Sequence, residues 1–295
     1  MRPDSSFNAA ILSVGLLDLT NQNIVIDSYD SRSPAKSTNG LYDVAKRQQN
    51  GDIATDGNLI DAGNAHIYGD VATNAGTVSG VANVTGIQRT DFYQDPIPVG
   101  APSWPSINPT PSSVNNTATI TASALQGSAA SRYILSTISL GGNQTLTIAG
   151  AADGSRTYAN IYVTGNISVA GTSQIVVQPG VQATIYFANN VDIAGNGVVN
   201  SNNQPGDLMF YGIQPPSGST PHVALGGNGQ ITAAVYAPNH DVTVNGGGTN
   251  GHVFGSIVGN TVTMTGVTNL HYDEALSAAG IINNYKIVSW FEDNR

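Results

Sequence analysis

Asn160 to Gly195 reads NIYVTGNISVAGTSQIVVQPGVQATIYFANNVDIAG, and it contains one phrase twice. Ile161-Tyr162-Val163-Thr164-Gly165-Asn166-Ile167-Ser168-Val169-Ala170-Gly171 is answered, 24 residues on, by Ile185-Tyr186-Phe187-Ala188-Asn189-Asn190-Val191-Asp192-Ile193-Ala194-Gly195. Each copy is a short apolar strand, a polar turn and an alternating apolar-polar-apolar ending. The alternation turns Ile167 and Val169 one way and Ser168 the other. A unit this short cannot bury its apolar face alone and needs a neighbour stacked on it.

The ending recurs at Leu146–Gly150, Val242–Gly246 and Val262–Gly266, with a looser copy at Val223–Gly226. Leucine-rich horseshoes share such a period but need a leucine ladder, which this stretch lacks. The pattern therefore predicts an all-β chain, a right-handed parallel β-helix or solenoid. Gly51, Gly57, Gly63 and Gly69 add a spacing of six, with Ile53, Leu59, Ala65 and Val71 two residues after each. Hexad spacing predicts further turns of the same kind, with those four apolar residues pointing inward.

Around these cores the chain divides into N-terminal β-helical coils (1–90), a Pro-rich strap (91–112), the main β-helix (113–270) and a C-terminal cap (271–295). The strap holds Pro96, Pro98, Pro102, Pro105, Pro109 and Pro111, which keeps it extended and out of a central ladder. Trp104 is its expected apolar anchor. Ala9–Leu17 reads as an edge or capping strand rather than a signal segment, because it runs into Asp18 without a small-x-small site. His271–Gly280, led by acids and closed by glycine, predicts a short helix. With the alternating Tyr285–Trp290 it is the expected end cap.

Composition excludes several functions. The chain has 295 residues, a net charge of −9 and only 10% charged residues, against ~25% in ordinary soluble domains. A nucleic-acid partner is not expected. No Lys or Arg lies between Arg156 and Lys286, which removes the usual base of a polysaccharide lyase. There is no cysteine, and no apolar span of membrane-crossing length is read.

Val253-Phe254-Gly255-Ser256-Ile257-Val258-Gly259-Asn260, then His271-Tyr272-Asp273-Glu274-Ala275-Leu276 and Ile287-Val288-Ser289-Trp290, carry a resemblance, as does Asp27-Ser28-Tyr29-Asp30-Ser31. From about Phe7 to Trp290 the chain resembles bacterial pilus-assembly-type surface proteins, in which a β-helical domain of unknown function follows a pilin-like segment. The resemblance implies a secreted or cell-surface location and a link to appendages, and it supplies no catalytic residues. The family's apolar N-terminal helix is absent from this sequence, so removal or another export route is expected.

No catalytic, cofactor-binding or metal-binding residues are assigned. A glycoside hydrolase, the rival reading, needs facing carboxylates. Asp192, Asp207 and Asp241 are the isolated acids available, with Asp192 and Asp241 in near-equivalent slots. His66, His222, His240, His252 and His271 form no short-spaced metal pair. Asp52, Asp56, Asp61 and Asp70 raise calcium between coils, without a known loop pattern. Asn83, Asn115, Asn143 and Asn166 head glycosylation sequons of a kind chance supplies in such a chain. Thr243 and Thr263 sit at matching places, but Thr147, Ser168 and Asp192 interrupt any ice-binding array. The expectation is a non-enzymatic extracellular structural or adhesive protein that self-associates into filaments. A carbohydrate-binding module touching surface glycans is the third reading.

Overall fold

A computed structural model describes residues 2–19, 24–80, 83–104, 112–126, 130–194, 196–216, 218–227, 230–246, 251–266, 268–279 and 282–286. It is all-β, about 49% strand and 5% helical. Three sheets carry the stack, and every strand pair within them is parallel. From residue 131 to residue 212 the chain visits them in rotation, and beyond that its described strands alternate between the two larger sheets. Thr157–Val163 lies in a long 13-stranded sheet, Ile167–Val169 in a nine-stranded middle sheet and Gln174–Val177 in a short four-stranded sheet. Val181–Phe187 then returns to the long sheet and pairs in register with Thr157–Val163.

Alternation sets what each strand buries. In Val181–Phe187 every second residue is buried and those between are half-exposed. The register stacks the inward residues into unbroken columns. Along the long sheet Tyr133, Ile161, Ile185, Phe210, Val235 and Ile257 follow one another as partners. Along the middle sheet Ile138, Ile167, Val191, Val223, Val242 and Val262 do the same. The partner of Ile167 is thus Ile138, not Leu146. Leu146 lies in the short sheet and pairs with Ile175. The phrase at 146–150 has the same alternation, and alternation sets the inward face without setting the sheet.

The stacking order departs from the chain order. After Ile257 the next member of the long-sheet column is Ile11, followed by Ile53 and Val71. After Val262 the middle-sheet column continues with Leu17, Ile60 and Val78. The N-terminal layers thus stack on the layer formed by residues 252–266. Ile11–Ser13 is paired on both sides, so the edge position expected for it is corrected to an interior one. Its residues are fully buried, as an interior strand requires.

The hexad glycines Gly51 and Gly69 fall at layer corners. A Cβ on Gly69 would lie 2.5 Å from the carbonyl carbon of Gly51, and one on Gly86 2.4 Å from the Gly69 oxygen. What the corner demands is the missing side chain, since no Cβ fits at such distances. Ile53, Ala65 and Val71 are buried, but Leu59 is exposed and Ile60 takes the inward place above Leu17.

The C-terminal segment is also corrected. Asn269–Asp273 is a strand, and only Glu274–Ala278 turns, as a 3-10 helix. Leu270, His271 and Tyr272 are all buried, because the strand is covered on both faces, with Tyr42 stacked on His271 on one of them. The segment caps no end of the stack. It pairs with His252–Gly259 on one side and Val25–Tyr29 on the other. Ile282–Lys286 pairs antiparallel with Arg2–Ser5. Ile287–Trp290, the rest of the expected cap, lies outside the described residues.

Residues 92–104 run back along the outside, against the stacking order. Gln94 accepts from Asn8 and donates its N–H to Asp56. Farther on, the Ile97 carbonyl accepts from the Tyr236 hydroxyl, and the Val99 carbonyl from the Gln214 N–H at 2.8 Å. Trp104 then packs edge-on against Tyr186, ring centroids 5.5 Å apart. Val114 is bridged to Ile138 in the first layer. Under this segment the outward row Tyr162, Tyr186, Tyr211, Tyr236 runs in register. Among the described residues, no helix is long and apolar enough to cross a membrane.

Candidate functional site

The densest polar cluster forms where Val25–Tyr29 and Asn269–Asp273 lie side by side, His271 opposite Asp27. Asp27 is fully buried and its two oxygens are both used. Oδ1 pairs with His271 Nδ1 at 2.6 Å, and Oδ2 accepts from the Tyr42 hydroxyl at 2.7 Å. His271 Nε2 lies 2.9 Å from His252 Nδ1. Tyr42 stacks on His271 with centroids 3.8 Å apart, and Phe254 packs against Tyr29, Tyr42, His252 and His271.

With Asp27 ionised, His271 donates to it through Nδ1. One proton then lies between the two rings, so they share at most one positive charge in this geometry. Burial, and then the neighbouring His271, hold His252 below the ordinary histidine range. Tyr42 is raised by burial and by its bond to Asp27, and stays a donor. The chain Asp27–His271–His252 runs from a buried carboxylate to a half-exposed ring. Its geometry fixes two strands that are far apart in sequence.

A second tier repeats that job. Asp273 Oδ1 accepts the N–H of Ser31 and that of Ala275, which starts the 3-10 helix. Burial raises the Asp273 carboxyl. Glu274 accepts from Lys36 Nζ at 2.6 Å, Asn50 Nδ2 at 2.7 Å and Ser28 Oγ at 3.0 Å. The residues 27–50 and 271–274 thus form a clasp. Sequence reading quoted both segments as motifs but did not pair them. The signal was there in Leu270-His271-Tyr272, a polar residue between two apolar ones.

The candidate carboxylates stay apart. Asp192 meets His222 Nε2 at 2.9 Å on the exposed middle-sheet face. Asp207 takes a two-pronged ion pair from Arg156. Asp241 accepts from Asn260 and Thr261. The partner of Asp192 two layers on is Thr243, by way of Ala224, whereas Asp241 stands opposite His222. The slots of Asp192 and Asp241 are therefore not equivalent, and the expected shared column is corrected. Thr243 and Thr263 are partners.

The acids considered for calcium are bonded to the protein itself. Asp52 accepts the Asp70 N–H, Asp70 accepts the Ile87 N–H, and Asp61 accepts from Ser79 Oγ. Among the described residues, no group of three or more His, Asp or Glu is placed to hold a metal ion. His66 is exposed on its strand. His240 is fully buried against Phe187, and burial lowers it to about 4, so it is neutral in the fold at pH 7.

These features define an all-β protein of stacked parallel strands in which residues 27–50 and 271–274, far apart in sequence, are clasped together. The chain belongs to the family described as Domain of unknown function (DUF7305), whose model matches residues 110–279. The match includes His271 and Asp273 but begins after Asp27 and Ser31, the residues they hold. No curated protein and no solved structure matches the chain.

Proposed function

We propose that this chain is a right-handed parallel β-helix acting as a non-enzymatic structural or adhesive module outside the cell, in a pilus-like or filamentous surface appendage. The observation that carries the reading is the single continuous stack. Ten strands of the long sheet follow one another in parallel, a rod of roughly 43 Å at ~4.8 Å per strand. The carboxylates Asp192, Asp207 and Asp241 stand apart, each held by its own neighbours. Layers at the two ends of the stack leave strand edges for end-to-end or lateral association.

Negative-stain microscopy, paired with light scattering over a concentration series, tests this reading. Ordered fibres or concentration-dependent growth are the expected result. A monomer at every concentration overturns self-assembly.

A second reading, a carbohydrate-binding module, is favoured by a shallow trough on the middle-sheet face. Ser168, Ala170, Asp192, Ala194, Thr243 and Asn245 line it. Small residues make its floor, and the polar ones are spaced to meet hydroxyl groups. Glycan arrays separate the two, and binding abolished by Asp192→Ala would favour the module.

A further inference from the structure

Glu274 holds two groups that can react with each other. Its Oε2 accepts from the Lys36 ammonium at 2.6 Å, and its Oε1 accepts from the Asn50 side-chain amide at 2.7 Å. An amine, a carboxamide and a carboxylate bonded to both are the parts of an amide exchange. The amine is the nucleophile, the carboxamide carbon is its target, and the carboxylate moves the proton. Asp241 gives the contrast. It holds the Asn260 amide at 2.8 Å, but among the described residues no lysine is bonded to it.

The surroundings fix all three groups. Ser28 Oγ donates to Glu274 Oε1 at 3.0 Å and accepts the Asn50 N–H at 2.9 Å, which ties the Asn50 backbone to the carboxylate. At the other end of the loop the Lys36 N–H donates to the Ser33 carbonyl. The Lys46 ammonium bonds the Pro34 and Ser37 carbonyls on either side of Lys36. Groups held this way react as parts of one molecule rather than by chance encounter. The usual fate of an Asn-Gly pair is ring closure by the next backbone nitrogen. Here the Gly51 N–H is committed to the Tyr68 carbonyl at 2.8 Å, which leaves the Lys36 amine as the nucleophile at hand.

We propose that Lys36 and Asn50 join in a self-formed isopeptide bond, made once per molecule after folding, with Glu274 as its acid–base group. Glu274 takes a proton from the Lys36 ammonium. The freed Nζ attacks Asn50 Cγ, and the tetrahedral carbon gives Nδ2 a lone pair that accepts the proton back from Glu274. The Nζ–Cγ bond forms and the Cγ–Nδ2 bond breaks. An ammonium and a carboxamide become a secondary amide and an ammonium ion, so no oxidant or energy source is required. The product closes residues 36–50 into a ring, and that loop carries Tyr42 to Asp27 and His271. This inference does not rest on where the protein acts or on its assembly.

The intact mass of the full-length chain, purified and then denatured, reads the bond directly. It should be lower by one ammonia than the sequence requires, and a digest should yield one branched peptide joining Lys36 to Asn50. Lys36→Arg keeps a cation on Glu274 but removes the amine, and Asn50→Ala removes the target. Both should show their full sequence mass. A full sequence mass in the unaltered chain overturns the proposal. So does an ammonia loss that persists in Lys36→Arg, which marks ring closure at an Asn-Gly pair instead. A folded Glu274→Gln chain that is still fully linked overturns the role given to Glu274.

Discussion

Residues 131–266 and residues 11–89 build the same columns by different means. In the first region the long-sheet strands run five to eight residues. Successive layers such as Ile167 and Val191 lie 24 residues apart. In the second the strands are two or three residues except Val25–Tyr29, and Ile53 and Val71 are only 18 apart. A short layer has little side-chain contact to hold its corners. It uses backbone against backbone instead, with Gly51, Gly69 and Gly86 in one corner column. Asp52 and Asp70 beside them each accept an N–H from the next layer. The long layers use close approaches as well. A Cβ on Gly165 would lie 2.4 Å from the Ser136 oxygen and one on Gly180 2.7 Å from the Gly154 oxygen, while Gly141, in the first layer, faces open space. Glycine corners thus serve both regions, and the lengths of the strands between them set how short a layer is.

The largest break should come where the two regions join. Asp27→Ala leaves His271 Nδ1–H and the Tyr42 hydroxyl buried without their acceptor, a loss of about 3–5 kcal/mol. Asp192→Ala, on the exposed face of the long-layer region, should cost about 0–1 kcal/mol. Urea unfolding of the two variants measures the difference, and equal midpoints would contradict the clasp.

A smaller effect sharpens the corner argument. Gly69→Ala should cost about 1–3 kcal/mol through overpacking, whereas Gly141→Ala should stay within about 0.5 kcal/mol. Thermal melts of the pair decide it. The smallest effect expected is that of Asp70→Ala, about 1 kcal/mol for one bond to the Ile87 N–H. Its local signature is faster hydrogen exchange at Ile87, with protection at Ile185 unchanged.

Much of the core was legible. The repeat at 161 and 185 named true partners, and Ile53, Ala65 and Val71 point inward as their spacing predicts. Leu59 failed because a three-residue strand reverses its face with a slip of one residue. Leu146 failed because an alternating strand fits either the middle or the short sheet equally well. The stacking of the N-terminal layers on residues 252–266 was illegible for the same reason. A parallel stack accepts any strand with the right alternation, so nothing local says that Ile257 is followed by Ile11. The clasp joins Asp27 to His271, 244 positions apart. Each reads as an isolated polar residue until the strands are laid side by side.

The stacking of the N-terminal layers on residues 252–273 also has a consequence in time. Layers made first on the ribosome, those of residues 11–89, have their stacking template made last. At ~5–20 residues/s, the interval between completing residue 89 and completing residue 273 is roughly 10–40 s. During that interval Ile11–Ser13 and Val25–Tyr29 can pair with Ile53–Thr55 and His66–Ile67 on one edge, and the edges that pair with residues 252–273 have no partner yet. Closure of the stack waits on those last strands, and until they arrive the open edges are free to pair wrongly.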